Sequence, residues 1–248
     1  MSPDPVLLAI VIATFLIAGT AKGVVGFGLP TIALALLTLA DGLYGAMAML
    51  LLPSLVTNVW QAVEGGSPVR LIRRLWRFLL PATVAVWVGL WLARDVETAA
   101  LVRLLGLLLM IYGLSGLLGW RPVLSARRDR LAGPVAGVLN GLLTGMTGSF
   151  VVPGVMYLQA LGLARDQIVQ AMGILFTAST LALLAALAGG GLLSLDLGLM
   201  SAIGVPAALA GMMIGRRIRT LLPETRFRQV FQLAILLLGI SVMASGGA

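Results

Sequence analysis

Long apolar runs fill almost the whole sequence and are separated only by short charged stretches. Apolar residues make up 60% of the chain and charged residues 10%, and the mean hydropathy is +1.07. A helix needs about 20 consecutive apolar residues to cross the ~30 Å hydrocarbon core of a bilayer. The sequence therefore predicts an all-α polytopic membrane protein, for which lipid is the main solvent.

The charged residues exclude several classes of function. The formal net charge is +8, but the arginines lie in short loops between apolar runs, as the positive-inside rule requires, so we expect no nucleic-acid partner. The chain contains no cysteine and no histidine, which removes disulfides, thiolate or imidazole metal sites and histidine-based catalysis. We therefore expect neither an enzyme nor a cofactor nor a bound metal.

The sequence repeats itself at a spacing of 125 residues. This shift superimposes Asp41 on Asp166, Ser54 on Ser179, Gly65-Gly66 on Gly190-Gly191, Pro81 on Pro206, Arg94 on Arg219 and Arg103 on Arg228. Because the matches stay in register through both halves, they predict two copies of one structural unit. We divide the chain into a first transmembrane repeat at 1–119, a basic cytoplasmic linker at 120–133 and a second transmembrane repeat at 134–248.

Each half contains five apolar segments. They span 6–21, 24–40, 42–63, 78–93 and 99–119 in the first half, and 134–148, 150–164, 168–188, 195–215 and 228–246 in the second. The first two segments of each half are short for a membrane crossing. We therefore predict that each unit begins with a broken or re-entrant hairpin, whose glycine-rich tip lies near the bilayer midplane, followed by three transmembrane helices. Two ordinary crossings are the alternative.

Three arginine-rich loops, 64–77, 120–130 and 216–228, are predicted to be cytoplasmic. The repeat equivalents of two of them differ, since 189–202 contains no Lys or Arg and 94–98 is charge-balanced. Equivalent loops would then face opposite sides, which predicts two inverted-topology repeats rather than parallel ones. The C-terminus is outside in this arrangement, whereas the N-terminus is inside with re-entrant hairpins and outside with ten crossings.

Both hairpin tips carry a G-x-x-G pattern followed by a proline. The residues are Gly23, Gly26, Gly28 and Pro30 in the first copy, and Gly145, Gly148 and Pro153 in the second. Glycine allows a sharp bend and close packing, and proline fits the first turn of the next helix. Each tip would aim the unpaired N–H groups of a helix start at a shared cavity, which favours an anion. The alternative is that the glycines only pack helices together.

Lys22 lies beside the first tip and is the only lysine among 17 basic residues. A cation inside a bilayer costs roughly 2.5–3.5 kcal/mol on insertion scales, so a buried lysine would line a water-filled path or meet an anion. The alternative is that the first helix ends at Ala21 and that Lys22 reaches the membrane interface.

The other candidate ligands are uncharged. We predict that the cavity is lined by Asn58, Asn140, Thr144, Thr147 and Ser149, with Ser54 and Ser179 as a repeat-matched secondary pair. All nine acidic residues fall at segment ends or in loops. A carrier of cations or protons normally places a carboxylate in its path, so this distribution favours an anionic substrate bound by N–H, hydroxyl, amide and Lys22 groups.

The glycine turns also carry a family resemblance. The G-x-x-G-F-G-x-P turn at 23–30, its degenerate copy at 145–153, the helices containing Ala-Met after each and the length of 248 residues resemble the TauE/SafE family of bacterial membrane proteins. The resemblance covers essentially the whole chain. It implies a secondary transporter in the bacterial inner membrane, usually exporting, for sulfite or an organosulfonate such as sulfoacetate. The matching motif positions are the glycines and prolines of the two tips.

Two other functions stay open at this point. A passive anion channel also uses broken helices and their dipole ends. A non-transporting membrane assembly subunit would show no cavity between polar tips. The expected partners are a small anion and the lipid bilayer, and the sequence is compatible with a homo-oligomer.

Overall fold

The computed structural model describes residues 4–64, 66, 68–120, 123–219 and 224–246, with the backbone alone at 126–128 and 224–226. Gly65, Arg121 and 220–223, which enter the repeat and loop predictions, lie outside the described residues. The described chain forms nine helices: α1 (Pro5–Val25), α2 (Leu29–Glu64), α3 (Pro68–Ala93), α4 (Thr98–Leu117), α5 (Ala126–Thr147), α6 (Gly154–Ala160), α7 (Arg165–Gly189), α8 (Leu195–Arg219) and α9 (Glu224–Ser245).

Seven of the described helices, all except α5 and α6, are long and apolar enough to cross a membrane. Their large apolar side chains are often exposed, as on α3, where Trp76, Leu80, Val84 and Trp91 are each more than half exposed. Such a surface needs lipid rather than water as its solvent. The protein is therefore a multi-pass all-α membrane protein, and this part of the prediction is confirmed.

The first helix of each half ends at a glycine in the left-handed region. α1 begins at an N-cap, Asp4, whose carboxylate accepts from the Val6 N–H at 2.9 Å, and it ends at Gly26, with φ of 92°. α5 ends at Gly148, with φ of 74°. Because glycine adopts this conformation at little cost, both helices stop sharply and the chain turns back.

Helix α2 is broken at Gly42, whose φ of 76° and ψ of 174° are not helical. Its two parts, 29–41 and 43–64, turn back on each other. Gly148 lies beside both parts, since a Cβ on it would be 2.7 Å from Met47 Cγ and 3.1 Å from Leu34 Cδ1. In the second half the corresponding break separates α6 from α7. The helix α6 has only 7 residues, fewer than the predicted segment 150–164, because the bend that starts at Gly148 continues to Pro153.

Helix α1 packs along α8, in the other half of the chain, and runs in the same direction. A Cβ on Gly19 would clash with the Ala208 carbonyl oxygen, and a Cβ on Gly23 would clash with that of Met212. The two backbones touch at these glycines, so neither position has room for a side chain.

When the two halves are exchanged, the pair α1 and α8 corresponds to the pair α5 and α3. The helices α5 and α3 also run in the same direction as each other. A Cβ on Gly137 would clash with the Phe78 carbonyl oxygen, and a Cβ on Gly145 would clash with that of Val86. α2 packs on α7 and α4 on α9. The pattern of packed pairs is therefore unchanged when the two halves are exchanged.

The arginine-rich segments gather at one end of the bundle, which we call the arginine-rich end. Glu64 and Arg216 form an ion pair with an N–O distance of 2.6 Å, and Arg74 and Arg130 line one cavity. The opposite end holds the turns after α3 and α7, where Arg94 lies 3.6 Å from the Cβ position of Gly190.

Both described chain ends lie at this opposite end. α8 starts there and α1 runs parallel to it, which places Asp4 there. α9 ends there as well, because Gly246 packs against Ala99 at the start of α4.

The two hairpin tips contact different helices, and a shared cavity between them near the midplane stays a prediction. Gly26 lies beside Val169, one turn from the start of α7, and Gly148 lies beside Met47, one turn after the break in α2. The Gln61 amide bonds the Val169 carbonyl, so Gly26 lies level with the last turn of α2, whereas Gly148 lies beside Leu34, six residues after Gly28.

The first helix of each hairpin is longer than the segments 6–21 and 134–148 that the sequence predicted. α1 has 21 residues and α5 has 22, so each is about 32 Å long and extends through most of the bundle. The sequence predicted that the first helix ends near Ala21, but α1 continues through Lys22 to Val25. This is possible because polar side chains of α2 accept hydrogen bonds from the Lys22 ammonium.

Candidate functional site

Lys22 lies inside the protein, in the last turn of α1, and is only 2% exposed. Its ammonium donates to Asn58 Oδ1 and, at 3.2 Å, to Thr57 Oγ1. Both acceptors belong to the second part of α2, near its arginine-rich end. The charge is therefore held between helices, and the side chain does not reach out to the membrane interface.

A chain of hydrogen bonds continues from Lys22 into the centre of the bundle. Asn58 Nδ2 donates to Ser54 Oγ at 2.8 Å, and Ser54 Oγ lies 3.4 Å from Thr180 Oγ1. These three side chains are no more than 1% exposed. The polar contacts therefore join α1, α2 and α7, and Ser54 pairs with Thr180 rather than with Ser179, whose buried hydroxyl has no partner.

Lys22 has no acidic partner among the described residues, because its only hydrogen bonds go to neutral oxygens. Burial of an ammonium is costly unless its charge is compensated. The Lys22 ammonium has three N–H donors, and two of them are bonded to Thr57 and Asn58. The third donor and the uncompensated charge can serve an anion.

A cavity of about 360 Å³ opens at the arginine-rich end and reaches Lys22. We call it the main cavity. Its inner wall includes Lys22, Gly23 and Gly26 of the first hairpin. Its charged lining consists of Lys22, Arg165, Arg216 and Arg219, against Glu64 and Asp166. Four basic groups against two acidic ones make the potential inside the main cavity positive.

Arg216 is held in place at the outer part of the main cavity. It forms the ion pair with Glu64, and its guanidinium lies 5.3 Å from the centre of the Trp60 ring. The two charged side chains are 43% and 54% exposed, so the pair adds little to stability. Its effect is to orient a cationic group at the cavity opening.

Two glutamines line the main cavity and link α2 to α7. Gln61 Nε2 donates to the Val169 carbonyl at 2.6 Å, and Gln170 Nε2 donates to the Ala62 carbonyl at 2.8 Å. Gln61 Oε1 is buried without a partner. Sequence reasoning did not select these residues or the arginines of the cavity. The available signal was an amide side chain inside a long apolar run.

The remaining residues of the first tip face other parts of the protein. A Cβ on Gly28 would lie 2.6 Å from the Phe231 ring, and Pro30 is buried in the first turn of α2. Gly28 and Pro30 do not line the main cavity. Of the predicted first-tip residues, the structure brings Lys22, Gly23 and Gly26 to it, with Asn58 in contact with Lys22.

The predicted residues of the second tip lie together, but they bond to the hairpin itself. Thr144 Oγ1 donates to the Ser149 carbonyl at 3.0 Å, and the Ser149 N–H donates to Thr147 Oγ1 at 3.2 Å. Gly145 and Gly148 pack against α3 and α2. None of these residues lines the main cavity, and their role in substrate binding stays a prediction.

The helix start at the second tip is occupied by a side chain. The Gly154 N–H, directly after Pro153, donates to Asn140 Oδ1 at 3.0 Å. This N–H group is therefore already bonded to a side chain, and binding of an anion at the second helix start stays a prediction. Asn140 Nδ2 is buried without a partner, which leaves one donor of this amide unused.

The described helices form a membrane protein with exposed apolar flanks, a positively charged cavity and a buried lysine at the inner wall of that cavity. A family model described as sulfite exporter TauE/SafE matches residues 11–242. The chain belongs to this family, as the glycine turns indicated. No curated protein matches the chain, and no solved structure does.

Proposed function

We propose that the protein is a secondary transporter that exports sulfite, or an organosulfonate such as sulfoacetate, across the bacterial inner membrane. The observation that carries this proposal is the buried Lys22 ammonium, which has only neutral partners and lies at the inner wall of the main cavity. Membership in a family of sulfite exporters supports the substrate class.

Capture of the anion is the first step. The arginines of the main cavity lie where α7 begins and α8 ends, so an approaching anion meets positive charge before it reaches the interior. Clefts of one sign of charge raise the local concentration of the opposite ion. By the positive-inside rule, the arginine-rich end faces the cytoplasm and both chain ends face outside.

Binding at Lys22 is the second step. The free donor of the ammonium can reach an oxygen of sulfite or of a sulfonate group, while Asn58 and Thr57 keep the other two donors engaged. Charge-assisted hydrogen bonds in a partly dry site are stronger than neutral ones. The anion supplies the negative charge that the described protein groups around Lys22 lack.

Passage beyond Lys22 requires a conformational change. Asn58, Ser54 and Thr180 are in direct contact and fully buried, so α2 and α7 must separate before an anion can move further. This closure favours a carrier over a passive channel. We infer that the halves 1–119 and 134–248 are inverted repeats, since equivalent helices α1 and α5 run in opposite directions, and that they move against each other.

Export then follows from the membrane potential. An anion that leaves an inside-negative cell moves down the electrical gradient, at about 2.3 kcal/mol per charge and 100 mV. No coupling ion is needed for this direction.

Counterflow in proteoliposomes tests the proposal. Vesicles loaded with unlabelled sulfite should take up labelled sulfite faster than empty vesicles, with a rate that saturates. Lys22→Met should remove this uptake, whereas Thr177→Val, which changes a hydroxyl bonded only within its own helix, should retain it. Uptake without saturation or acceleration by internal sulfite indicates a channel, and equal uptake by Lys22→Met contradicts the proposed site.

A further inference from the structure

A second cavity, of about 370 Å³, lies on the other side of the first hairpin tip. We call it the side cavity. Val25 and Phe27 line it, and Gly26 between them lines the main cavity. Its volume falls in the range of roughly 300–1,000 Å³ that holds small organic ligands. The hairpin tip is therefore a partition between two cavities at the same end of the protein.

The side cavity contains an unsatisfied amide. Gln232 is 4% exposed and lines the cavity, and its Oε1 has no hydrogen-bond partner. The helix α4 leaves room for this side chain at Gly116, where any Cβ would clash with the amide carbon of Gln232. A buried amide oxygen without a hydrogen-bond partner is unfavourable, so binding of a ligand that satisfies this group would be favoured.

The amide can also present its NH2 group to a ligand. Tyr112 lies one turn before Gly116 on α4, and its hydroxyl is buried without a hydrogen-bond partner. If the amide turns by 180°, Tyr112 can donate to Oε1 and the NH2 group faces the cavity. Both groups are then satisfied when the ligand supplies an acceptor.

The charge of the side cavity is positive. Arg165 and Arg228 line it, and no acidic residue is among its described lining residues. Much of the remaining wall is apolar, with Phe27 and Trp120 as its aromatic members. A charged head group would find two guanidinium groups and an amide, and an apolar tail would find aromatic surface.

We propose that the side cavity binds amphipathic organic anions, with the anionic group at Arg228, Arg165 and Gln232 and the apolar tail against Phe27 and Trp120. Arg165 and Val169 line both cavities, so a ligand in the side cavity competes for the side chain that also serves the main cavity. Such a ligand is an inhibitor of transport. This last step rests on the proposed function, whereas binding itself does not.

Ligand-induced thermal stabilisation in a non-ionic detergent tests the binding. Hexanesulfonate is the probe, methanesulfonate has the same head group without the tail, and hexylammonium has the tail with the opposite charge. Hexanesulfonate should raise the melting temperature of the wild type at a lower concentration than methanesulfonate, which can bind only through its head group, and hexylammonium should not raise it. Gln232→Leu and Arg228→Gln should each raise at least tenfold the hexanesulfonate concentration that gives half of the maximal stabilisation. Two variants are used so that the test remains valid if one of them does not fold.

Two control variants separate the side cavity from the main cavity and from net charge. Lys22→Met alters only the main cavity and should leave the hexanesulfonate response unchanged. Arg217→Gln removes one positive charge outside both cavities and should also leave it unchanged. Equal stabilisation by methanesulfonate, an unchanged response in both side-cavity variants, or loss of the response in Lys22→Met would overturn the proposal.

Measurements in nanodiscs distinguish a lipid head group from a free anion as the ligand of the side cavity. If lipid head groups occupy the side cavity, phosphatidylglycerol discs should abolish the hexanesulfonate effect that phosphatidylcholine discs retain. If the effect is equal in both, the ligand is a free anion. Inhibition of sulfite counterflow by hexanesulfonate should be lost in Arg228→Gln. Absence of any counterflow would refute the proposed transport and leave the binding result to decide on the side cavity.

Discussion

Replacement of Asn58 measures how far the buried lysine depends on its neutral partners. Asn58→Leu keeps the approximate size of the side chain and removes two hydrogen bonds, the one accepted from Lys22 and the one donated to Ser54. The bond to the charged ammonium contributes roughly 1.5–3 kcal/mol and the neutral bond roughly 0.5–1.5. We expect a loss of about 3 kcal/mol in the free energy of unfolding.

The same replacement should have a smaller effect when the charge is absent. In a Lys22→Met background only the neutral bond to Ser54 is lost, so the expected cost falls to about 1 kcal/mol. The coupling energy between the two positions is then about 2 kcal/mol, well above the ~0.6 kcal/mol average of hydrogen bonds between membrane helices. A coupling of this size is expected only if the ammonium is charged and bonded to Asn58.

The assay is a double-mutant cycle by reversible unfolding in mixed micelles. Thr177→Val is the control because its hydroxyl bonds the Gly173 carbonyl of its own helix at 2.7 Å. Its effect should add to that of Lys22→Met. Additivity of Asn58→Leu and Lys22→Met within about 0.5 kcal/mol would refute the reasoning, since independent sites behave in that way.

Three further outcomes follow from the packing and the charges. Gly145→Ala should lower the melting temperature strongly because its Cβ would meet the backbone of α3, whereas Gly198→Ala, with open space around it, should be neutral or stabilising by up to about 1 kcal/mol. Asn140→Leu should destabilise the fold by about 1–2 kcal/mol through loss of the bond from Gly154. Arg216→Gln should raise the half-saturating sulfite concentration at low ionic strength, with little change in melting temperature, and the difference from wild type should shrink at high salt because surface charges are screened. Equal melting temperatures for the two glycine variants, or a salt-independent effect of Arg216→Gln, would contradict these expectations.

The helical segments could be predicted because their signals are local. Apolar runs and the charges between them mark each helix without knowledge of its neighbours. The break near residue 41 was visible in the same way, since two apolar segments meet there. The gathering of arginines at one end agrees with the loop assignment, because charge asymmetry along a chain of crossing helices constrains how the helices alternate.

The depth of the hairpin tips could not be predicted because it depends on tertiary contacts. A lysine in an apolar sequence suggests the end of a helix, but Thr57 and Asn58 accept its hydrogen bonds from 35 and 36 residues away, respectively. Their position relative to Lys22 is set by the packing of α1 on α2. The helix therefore continues past the charge, and the tip moves to one end of the bundle.

The sequence also could not predict whether the polar side chains at the second tip bond a ligand or the hairpin backbone. Thr144, Thr147 and Ser149 are suitable ligands by residue type, but a hydroxyl can equally bond the nearby backbone. Which alternative holds depends on whether the turn leaves carbonyl and N–H groups within reach. Arg165 and Gln61 illustrate the reverse case, because they come from distant segments and form one cavity only in the folded protein.

The most direct measurement is the position of an anion in a crystal of the protein. Selenite resembles sulfite and its selenium can be located by anomalous scattering. We expect a peak in the main cavity with an oxyanion oxygen about 2.8 Å from the Lys22 ammonium, absent in Lys22→Met. Peaks only at surface arginines, or a peak at Ser149 with none near Lys22, would contradict the central claim that the buried lysine receives the transported anion.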